Sequence, residues 1–197
     1  MRPDAQSGGA GRELLARTFE YGNGARGWIV LASRDPRALR SYARIGLDLH
    51  PAVAARGQAR PAAMPPEVRS GTPADLPLTE SVDRAVRGAA HGEDILAMLE
   101  VGGELLVLPE RGYVVVRNGN VRQLAAFDDE AAATLLRAAL ASGDGREASV
   151  EWMTAAQNWA IRECLAAGLE IRTDIGGVFL GGDVGPFAPY LPSGAYL

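Results

Sequence analysis

The segment Gln6-Ser7-Gly8-Gly9-Ala10-Gly11-Arg12 decides how the rest of this sequence is interpreted. It stands directly before an apolar stripe with helical spacing, formed by Leu14, Leu15, Thr18 and Phe19. Glycines before a helix let a ligand approach the backbone closely, and the free N–H groups of the first helical turn attract an anion. The segment therefore predicts a phosphate-binding site close to residue 1.

Two common phosphate loops do not fit this segment. A Walker loop needs Gly-x-x-x-x-Gly-Lys followed by Ser or Thr, and no such lysine is present. A Rossmann fingerprint needs Gly-x-Gly-x-x-Gly after a strand, and the stretch from Gly9 to Leu14 lacks the third glycine. The segment does match Gln/Arg-x-x-Gly-x-Gly/Ala, at Gln6, Gly9 and Gly11. In this pattern it resembles the acyl-CoA pyrophosphate loop of the GNAT superfamily N-acetyltransferases.

The resemblance implies a site for acetyl-CoA as acyl donor. The residues that it implies for binding are Gln6, Gly8, Gly9, Ala10, Gly11 and Arg12. Backbone N–H groups would hold the pyrophosphate, and the Arg12 guanidinium would add positive charge beside it. Two alternatives stay open: a glycine-rich tail that binds no ligand, and an Arg12 side chain that simply faces solvent.

The order of elements after the loop also resembles the cofactor half of a GNAT domain. Gly22-Asn23-Gly24 ends the first helix, Trp28 to Leu31 read as a short buried strand, and Asp35-Pro36 open a second helix. The resemblance implies that Tyr42, in this helix, protonates the departing thiolate. The alternative is an ordinary half-buried tyrosine. No residue matches a family position for the general base.

A second copy of the same pattern follows about 120 residues later. Residues 38–49 align without gaps on residues 160–171, which indicates a tandem of two related units. We predict an α/β fold with a mixed sheet. Its parts are the acyl-CoA-binding half of a GNAT domain in residues 1–57, a linker in residues 58–66, and a complete but degenerate GNAT-like domain in residues 67–197.

The second unit lacks the chemistry of the first. Its loop reads Phe127-Asp128-Asp129-Glu130-Ala131-Ala132, and these carboxylates would repel a pyrophosphate. Cys164 replaces the tyrosine. The C-terminal stretch from Gly185 to Leu197, called the strap below, is rich in proline and aromatic residues. We expect it to dock across the first unit; the alternative is that Tyr190 and Tyr196 line a cleft.

The N-terminal end of the first unit is short against the family pattern, which places several strands before the loop. Only Met1 to Ala5 precede Gln6. Either the start codon is assigned too late, or the chain is a truncated product. We expect the first, because Pro3 stands where the family often has a proline before this loop.

Composition restricts the partners of the chain. The net charge of −4 disfavours nucleic acid and anionic membranes, and no apolar run is long enough to span a bilayer. The single cysteine excludes an internal disulfide, which is typical of a cytoplasmic protein. One cysteine and two histidines cannot form a zinc site, so no metal is predicted. Abundant arginine, alanine and glycine are typical of a high-GC bacterial genome.

The predicted function is transfer of an acetyl group from acetyl-CoA to a small-molecule amine, although the short first unit puts the activity of this chain in doubt. Two alternatives remain: a non-catalytic module that binds acyl-CoA or a partner, and a purely structural fragment. We also expect that a strand edge left unpaired in the first unit would favour a homodimer.

Overall fold

The computed structural model describes residues 9–195, which form six α-helices and nine strands. The helices are α1 (Ala10–Tyr21), α2 (Pro36–Arg44), α3 (Leu76–Arg87), α4 (Glu93–Glu100), α5 (Asp129–Ser142) and α6 (Asn158–Ala166). The strands are β1 (Gly27–Ala32), β2 (Asp48–Gln58), β3 (Arg69–Ser70), β4 (Glu104–Leu108), β5 (Gly112–Arg117), β6 (Asn120–Ala126), β7 (Glu147–Met153), β8 (Glu170–Gly182) and β9 (Tyr190–Leu191).

All nine strands belong to one mixed sheet, in the order β1-β8-β2-β7-β6-β5-β4-β3, with β9 beside β6. Neighbouring strands are antiparallel except β6 and β7, which are parallel and pair only at Asn120 and Ser149. The two strands diverge beyond this pair. This divergence leaves an opening between β6 and β7. One edge of β6 pairs with β5, so the short strand β9 pairs with the edge of β6 that faces this opening. The predicted α/β architecture with a mixed sheet is confirmed.

Local sequence signals account for several element boundaries. The Asp35 carboxylate accepts a hydrogen bond from the Arg37 N–H at 2.9 Å, and Pro36 occupies the first turn of α2. Asn118 and Gly119 both have positive φ, of 51° and 77°, which is the conformation of a type I′ turn. Asn-Gly is also the strongest two-residue hairpin signal in a sequence, and the hairpin that it predicts joins β5 to β6.

Apolar residues pack on both faces of the sheet. The largest cluster lies under α5 and α6, where alanine and leucine side chains of α5 meet the inner residues of β4 to β7. A second cluster lies on the opposite face under α3, α4 and the strap. A third, small cluster joins α1 and α2 to β1 and β8 around Phe179. The helices that carry the predicted site thus have the smallest share of the core.

The order helix-strand-helix-strand occurs twice, as α1-β1-α2-β2 and as α5-β7-α6-β8. The second helix of each set begins 122 residues apart, at Pro36 and at Asn158. In the sheet the two sets interlock as β1-β8-β2-β7, so the last strand of each set lies inside the other. Common ancestry of the two sets stays a prediction, as does the division at residues 58–66, and strands from both sides of that linker share one sheet.

Three sequence-based expectations are wrong. The strap does not dock across the first unit: Tyr190 and Leu191 pair with β6, and the Phe187 N–H donates to the Val86 carbonyl of α3 at 2.7 Å. Trp28 to Leu31 are half-buried because β1 is at the edge of the sheet. The apolar pattern predicts two short strands, around residues 169–171 and 177–180, but the structure has one long strand there, β8.

Candidate functional site

A cavity of about 820 Å³ lies where α1, β1 and α2 meet. Pockets of roughly 300–1,000 Å³ are typical of small-molecule sites. The lining residues are Gly9, Ala10, Gly11, Arg12, Leu14, Leu15, Thr18 and Phe19 from the α1 segment, Trp28, Ile29 and Val30 from β1, and Asp35, Arg37, Ala38, Ser41 and Tyr42 from the α2 segment. The structure thus brings the described part of the predicted loop and Tyr42 to one cavity. Gln6 and Gly8 lie outside the described residues.

The N-terminus of α1 opens onto this cavity. Gly9 has a φ of 86°, in the left-handed region that favours glycine, and its carbonyl accepts the first hydrogen bonds of the helix, from the N–H groups of Arg12 and Glu13. The N–H groups of Ala10 and Gly11 consequently have no acceptor within the helix. Gly9 contributes no side-chain cap. Two backbone donors and the positive end of the dipole are therefore available to an anion.

Gly11 is a glycine that local packing does not require. Apart from its chain neighbours and the backbone of its own helix, a Cβ atom at this position would have no atom within 4 Å, and the residue lies inside the first turn of α1. Glycine disfavours a helix by about 1 kcal/mol relative to alanine. The absence of a side chain at Gly11 keeps space free in front of the unbonded N–H groups, as a phosphate-binding backbone requires.

Arg12 is exposed and lines the same cavity. Within residues 9–195 it forms no ion pair, whereas the neighbouring Glu13 is paired with Arg17 at 2.7 Å. Its guanidinium is therefore available to an anionic ligand, and it also faces solvent, so both interpretations made from the sequence remain compatible with its position.

Tyr42 lies on the side of α2 that faces the cavity. Its ring packs on Phe179 with a centroid distance of 5.3 Å and a tilt of 57°, and its main-chain carbonyl accepts a hydrogen bond from Leu47. Within the described part of the chain, its hydroxyl group has no hydrogen-bond partner. The ring is thus held by packing while the hydroxyl remains available to a ligand.

Stacked aromatic rings attach α1 to the sheet. The rings of Phe19 and Trp28 are 3.9 Å apart and tilted by only 22°. A Cβ atom at Gly22 would lie 2.2 Å from the Trp28 ring, so this position admits only glycine without a shift of the indole. The sequence analysis found Trp28 as a strand residue and missed this role, because stacking across 9 positions is not visible in a local pattern.

Asp35 is a cavity residue that is unsuited to accept protons at neutral pH. Its carboxylate holds the Arg37 guanidinium at 2.7 Å and caps α2. The hydrogen bond from the Arg37 side chain lowers the pKa of Asp35 to about 2. A general base works best with a pKa near the working pH, so Asp35 is a weak candidate.

The corresponding site of the second set is closed. At the N-terminus of α5 the Asp128 carboxylate accepts from the Ala131 N–H at 2.9 Å and pairs with Arg111 at 2.6 Å. The hydrogen bond from Ala131 lowers the pKa of Asp128. A carboxylate thus occupies the place where α1 presents free N–H groups, and the strap strand β9 lies in the opening between β6 and β7.

A buried polar cluster, which the sequence analysis did not find, joins α3, the α3–α4 loop, β5, β6 and the strap. Asp83 accepts a hydrogen bond from the Tyr113 hydroxyl at 2.6 Å, and its other carboxylate oxygen lies 2.9 Å from Nδ1 of His91. Tyr190 of the strap lies 3.3 Å from the other His91 nitrogen, and Gln123 contacts both His91 and Tyr113. Burial raises the pKa of Tyr113 and of Tyr190. All five side chains are buried, and the contact between Tyr190 and His91 links the cluster to the strap.

Other kinds of site receive no support between residues 9 and 195. No group of His, Cys, Asp and Glu side chains in this range could hold a metal ion. His50 is exposed on β2 and does not line the cavity, and Cys164 is buried. Helices that would be long and apolar enough to cross a membrane are absent from the same range.

Comparisons with known proteins agree on the fold. No family model matches the sequence, and no curated protein is similar to it in sequence. The whole chain superposes on 69% of a protein classed as an acetyltransferase from Pyrococcus horikoshii, with a TM-score of 0.78 and 18% identity. For a GCN5-related N-acetyltransferase from Kribbella flavida, 91% of the chain superposes with a TM-score of 0.55 and 18% identity.

For Eis1 from Mycobacterium abscessus, 91% of the chain superposes with a TM-score of 0.54 and 17% identity. The chain spans about half the length of these last two proteins, 49% and 53% respectively. At identities this low, the superpositions are evidence of a shared fold and of nothing more. The shared fold is the mixed sheet with its helix-strand-helix-strand order. The chain therefore has the fold of the GNAT N-acetyltransferases.

Proposed function

We propose that this protein is an acyl-CoA-dependent N-acetyltransferase that transfers an acetyl group from acetyl-CoA to a small-molecule amine. The observation that carries the proposal is the single cavity lined by both the α1 N-terminus and Tyr42. A phosphate-binding backbone at one end and an available hydroxyl at the other suit a donor that carries a pyrophosphate and a thioester.

Donor binding and proton transfer would be carried out by different residues of the cavity. The free N–H groups of Ala10 and Gly11 would hold the pyrophosphate, with Arg12 adding charge beside it. When bound, acetyl-CoA supplies an acetyl group already activated as a thioester, from which a thiol must leave. The Tyr42 hydroxyl would donate its proton to that leaving sulfur, and the packing on Phe179 would hold the ring in position.

A second candidate function is binding of acyl-CoA without transfer. It is favoured by the titratable side chains that line the cavity, which are Arg12, Asp35, Arg37 and Tyr42. The two arginines are cations, Asp35 has a pKa of about 2, and Tyr42 is assigned as an acid. No described residue of the cavity would accept the proton of the amine, so transfer requires water to accept it.

Isothermal titration calorimetry with acetyl-CoA tests the site directly. We expect the wild-type chain to bind and Gly11→Glu to lose binding at least tenfold, because the carboxylate would repel the pyrophosphate and fill the free space. Ala16→Glu is the matched control: it adds the same charge to an exposed position of α1 that does not line the cavity. If Gly11→Glu binds acetyl-CoA as tightly as Ala16→Glu does, the proposed site is wrong.

Turnover separates the two candidate functions. A screen of small amines with acetyl-CoA, followed by detection of free thiol, should yield a substrate if the chain is an enzyme. Tyr42→Phe keeps the ring on Phe179 and removes only the hydroxyl, so kcat should fall about 10- to 100-fold while acetyl-CoA affinity is unchanged. Binding without turnover on any amine would favour the binding module.

A further inference from the structure

A second cavity, of about 420 Å³, lies in the opening between β6 and β7. The two strands meet at Asn120 and Ser149, and the strap strand β9 pairs with β6 further along, at Leu124 and Ala125. Residues of β2, β6, β7 and the strap line the cavity, which is therefore the part of the opening that the strap leaves unfilled. Its volume is within the range of small-molecule sites.

Trp152 of β7 reaches this cavity through an unusual backbone conformation. Its φ is 61°, in the left-handed region, which costs of order 1–3 kcal/mol for a residue other than glycine. Residues two apart in a regular strand share a face, but Val150 belongs to the cluster under α5 and Trp152 packs against the cluster on the opposite face. The left-handed backbone thus turns Trp152 to the side of the sheet on which its neighbour Glu151 also lines the cavity.

The indole nitrogen of Trp152 is a buried donor without an acceptor. It has no hydrogen-bond partner among residues 9–195. A Cβ atom at Gly194 of the strap would lie 3.3 Å from this nitrogen, so the glycine keeps the space beside it open. An indole N–H can only donate, and a buried donor left unpaired costs about 1–3 kcal/mol. A ligand that brings an acceptor into the cavity would remove this cost.

Arg122 of β6 is the second available donor. It is half-buried and lines the cavity, and its side chain has no ion pair or hydrogen bond within the described part of the chain. The other arginine of the cavity, Arg56, is already paired with Glu151 at 2.6 Å. Arg122 lies two residues, and Trp152 three, beyond the point where the strands meet. The two donors therefore flank the opening at a similar depth.

The charges of the cavity restrict the ligand that these donors suit. Both groups are donors only, and a guanidinium matches the two oxygens of a carboxylate. Two carboxylates, Glu147 and Glu151, line the same cavity, and they would repel a doubly charged phosphate more strongly than a singly charged ligand. A single carboxylate on the ligand is consequently favoured over a phosphate.

We propose that this cavity binds a small molecule with one carboxylate, which accepts hydrogen bonds from the Trp152 indole and the Arg122 guanidinium. No residue lines both this cavity and the one at α1. The proposal is therefore independent of the proposed function, and acetyl-CoA binding at α1 neither supports nor contradicts it.

Indole N–H signals in NMR spectra of the ¹⁵N-labelled chain test the proposal directly. The chain has three tryptophans, and Trp→Phe variants assign their signals. Titration with a panel of aliphatic and aromatic monocarboxylates and free amino acids should include a compound that shifts the Trp152 signal. The Trp159 signal is the internal control, because its nitrogen is also buried and unpaired in the described range but lines neither cavity. A response of Trp28 or Trp159 in place of Trp152, or of none with any compound, would overturn the proposal.

Calorimetry with the selected carboxylate tests the two assigned donors. Arg122→Gln and Trp152→Phe should each raise Kd about tenfold or more, because each removes one hydrogen bond to a charged group. Arg162→Gln is the matched control, since it removes the same charge from an exposed position of α6 outside both cavities, and its Kd should equal that of wild type. Thermal unfolding without ligand verifies that each variant is folded. Unchanged affinity in folded Arg122→Gln or Trp152→Phe would refute the assignment of that donor.

Discussion

Replacement of Gly11 by alanine should have opposite effects on stability and on donor binding. Apart from its chain neighbours and the backbone of its own helix, the new methyl group would have no atom within 4 Å, so it introduces no clash in the folded chain. Alanine favours a helix over glycine by about 0.5–1 kcal/mol. For a chain of this size, that gain corresponds to a rise in Tm of about 1–4 °C.

The same methyl group would stand in front of the free N–H groups that we assign to the pyrophosphate. Displacing the phosphate from one of these donors loses about one charge-assisted hydrogen bond, which corresponds to roughly a tenfold rise in Kd for acetyl-CoA. Stability is measured by thermal unfolding without ligand, and affinity by calorimetry. Ala16→Gly is the reverse control, since it should lower stability by about 1 kcal/mol and leave affinity unchanged.

The combination of the two measurements separates a binding site from a glycine-rich tail. A tail that binds nothing would gain stability on Gly11→Ala with no change in affinity. A fall in Tm would show that Gly11 is required by the fold, and the reasoning from free space would then be wrong. Only higher stability together with weaker binding supports the site.

Three further predictions follow from contacts outside the loop. Trp28→Ala removes the stacking partner of Phe19 and should lower the free energy of unfolding by about 2–4 kcal/mol, measured by chemical denaturation. Calorimetry should also show loss of acetyl-CoA binding, because α1 is no longer held on β1. Asp83→Ala leaves buried polar partners unpaired and should destabilise by about 3–5 kcal/mol, detected by the same denaturation, with an unfolding midpoint unchanged from wild type contradicting the assignment. The pKa of Asp35 is lowered from 3.8 to about 2 in the folded chain, so its stabilising contribution is present above pH 4 and is lost as the pH falls towards 2; Asp35→Asn should flatten this part of a stability-versus-pH profile.

The interlocked arrangement of the two helix-strand-helix-strand sets explains why one can lose its ligand site without loss of the fold. Strand β8 lies between two strands of the first set and β2 lies between two strands of the second, so neither set can separate from the other without breaking these strand pairs. The second set contributes more of the core than the first, chiefly through the eight buried residues of α5, and the strap occupies its opening. The first set, at the sheet edge, keeps its helix N-terminus open.

Local interactions could be predicted from the sequence because they depend on residues close in the chain. The glycine segment, the Asp35-Pro36 helix start, the Asn118-Gly119 turn and the repeat of apolar spacing each reflect backbone preferences or caps within a few positions. These signals sufficed for the mixed α/β class and for the resemblance to the GNAT fold. The resemblance in turn implied the loop residues and Tyr42, and those of them that the structure describes line one cavity.

Tertiary structure alone decided how distant strands pair. The register of β2 between β7 and β8 involves residues separated by about 90 to 130 positions, and no local pattern encodes it. For the same reason the sequence misplaced the strap, which pairs with β6, and missed the cluster around Asp83, whose members come from five separate segments. The position of β1 at the edge of the sheet is likewise a consequence of strand order, because an edge exists only once a sheet has formed.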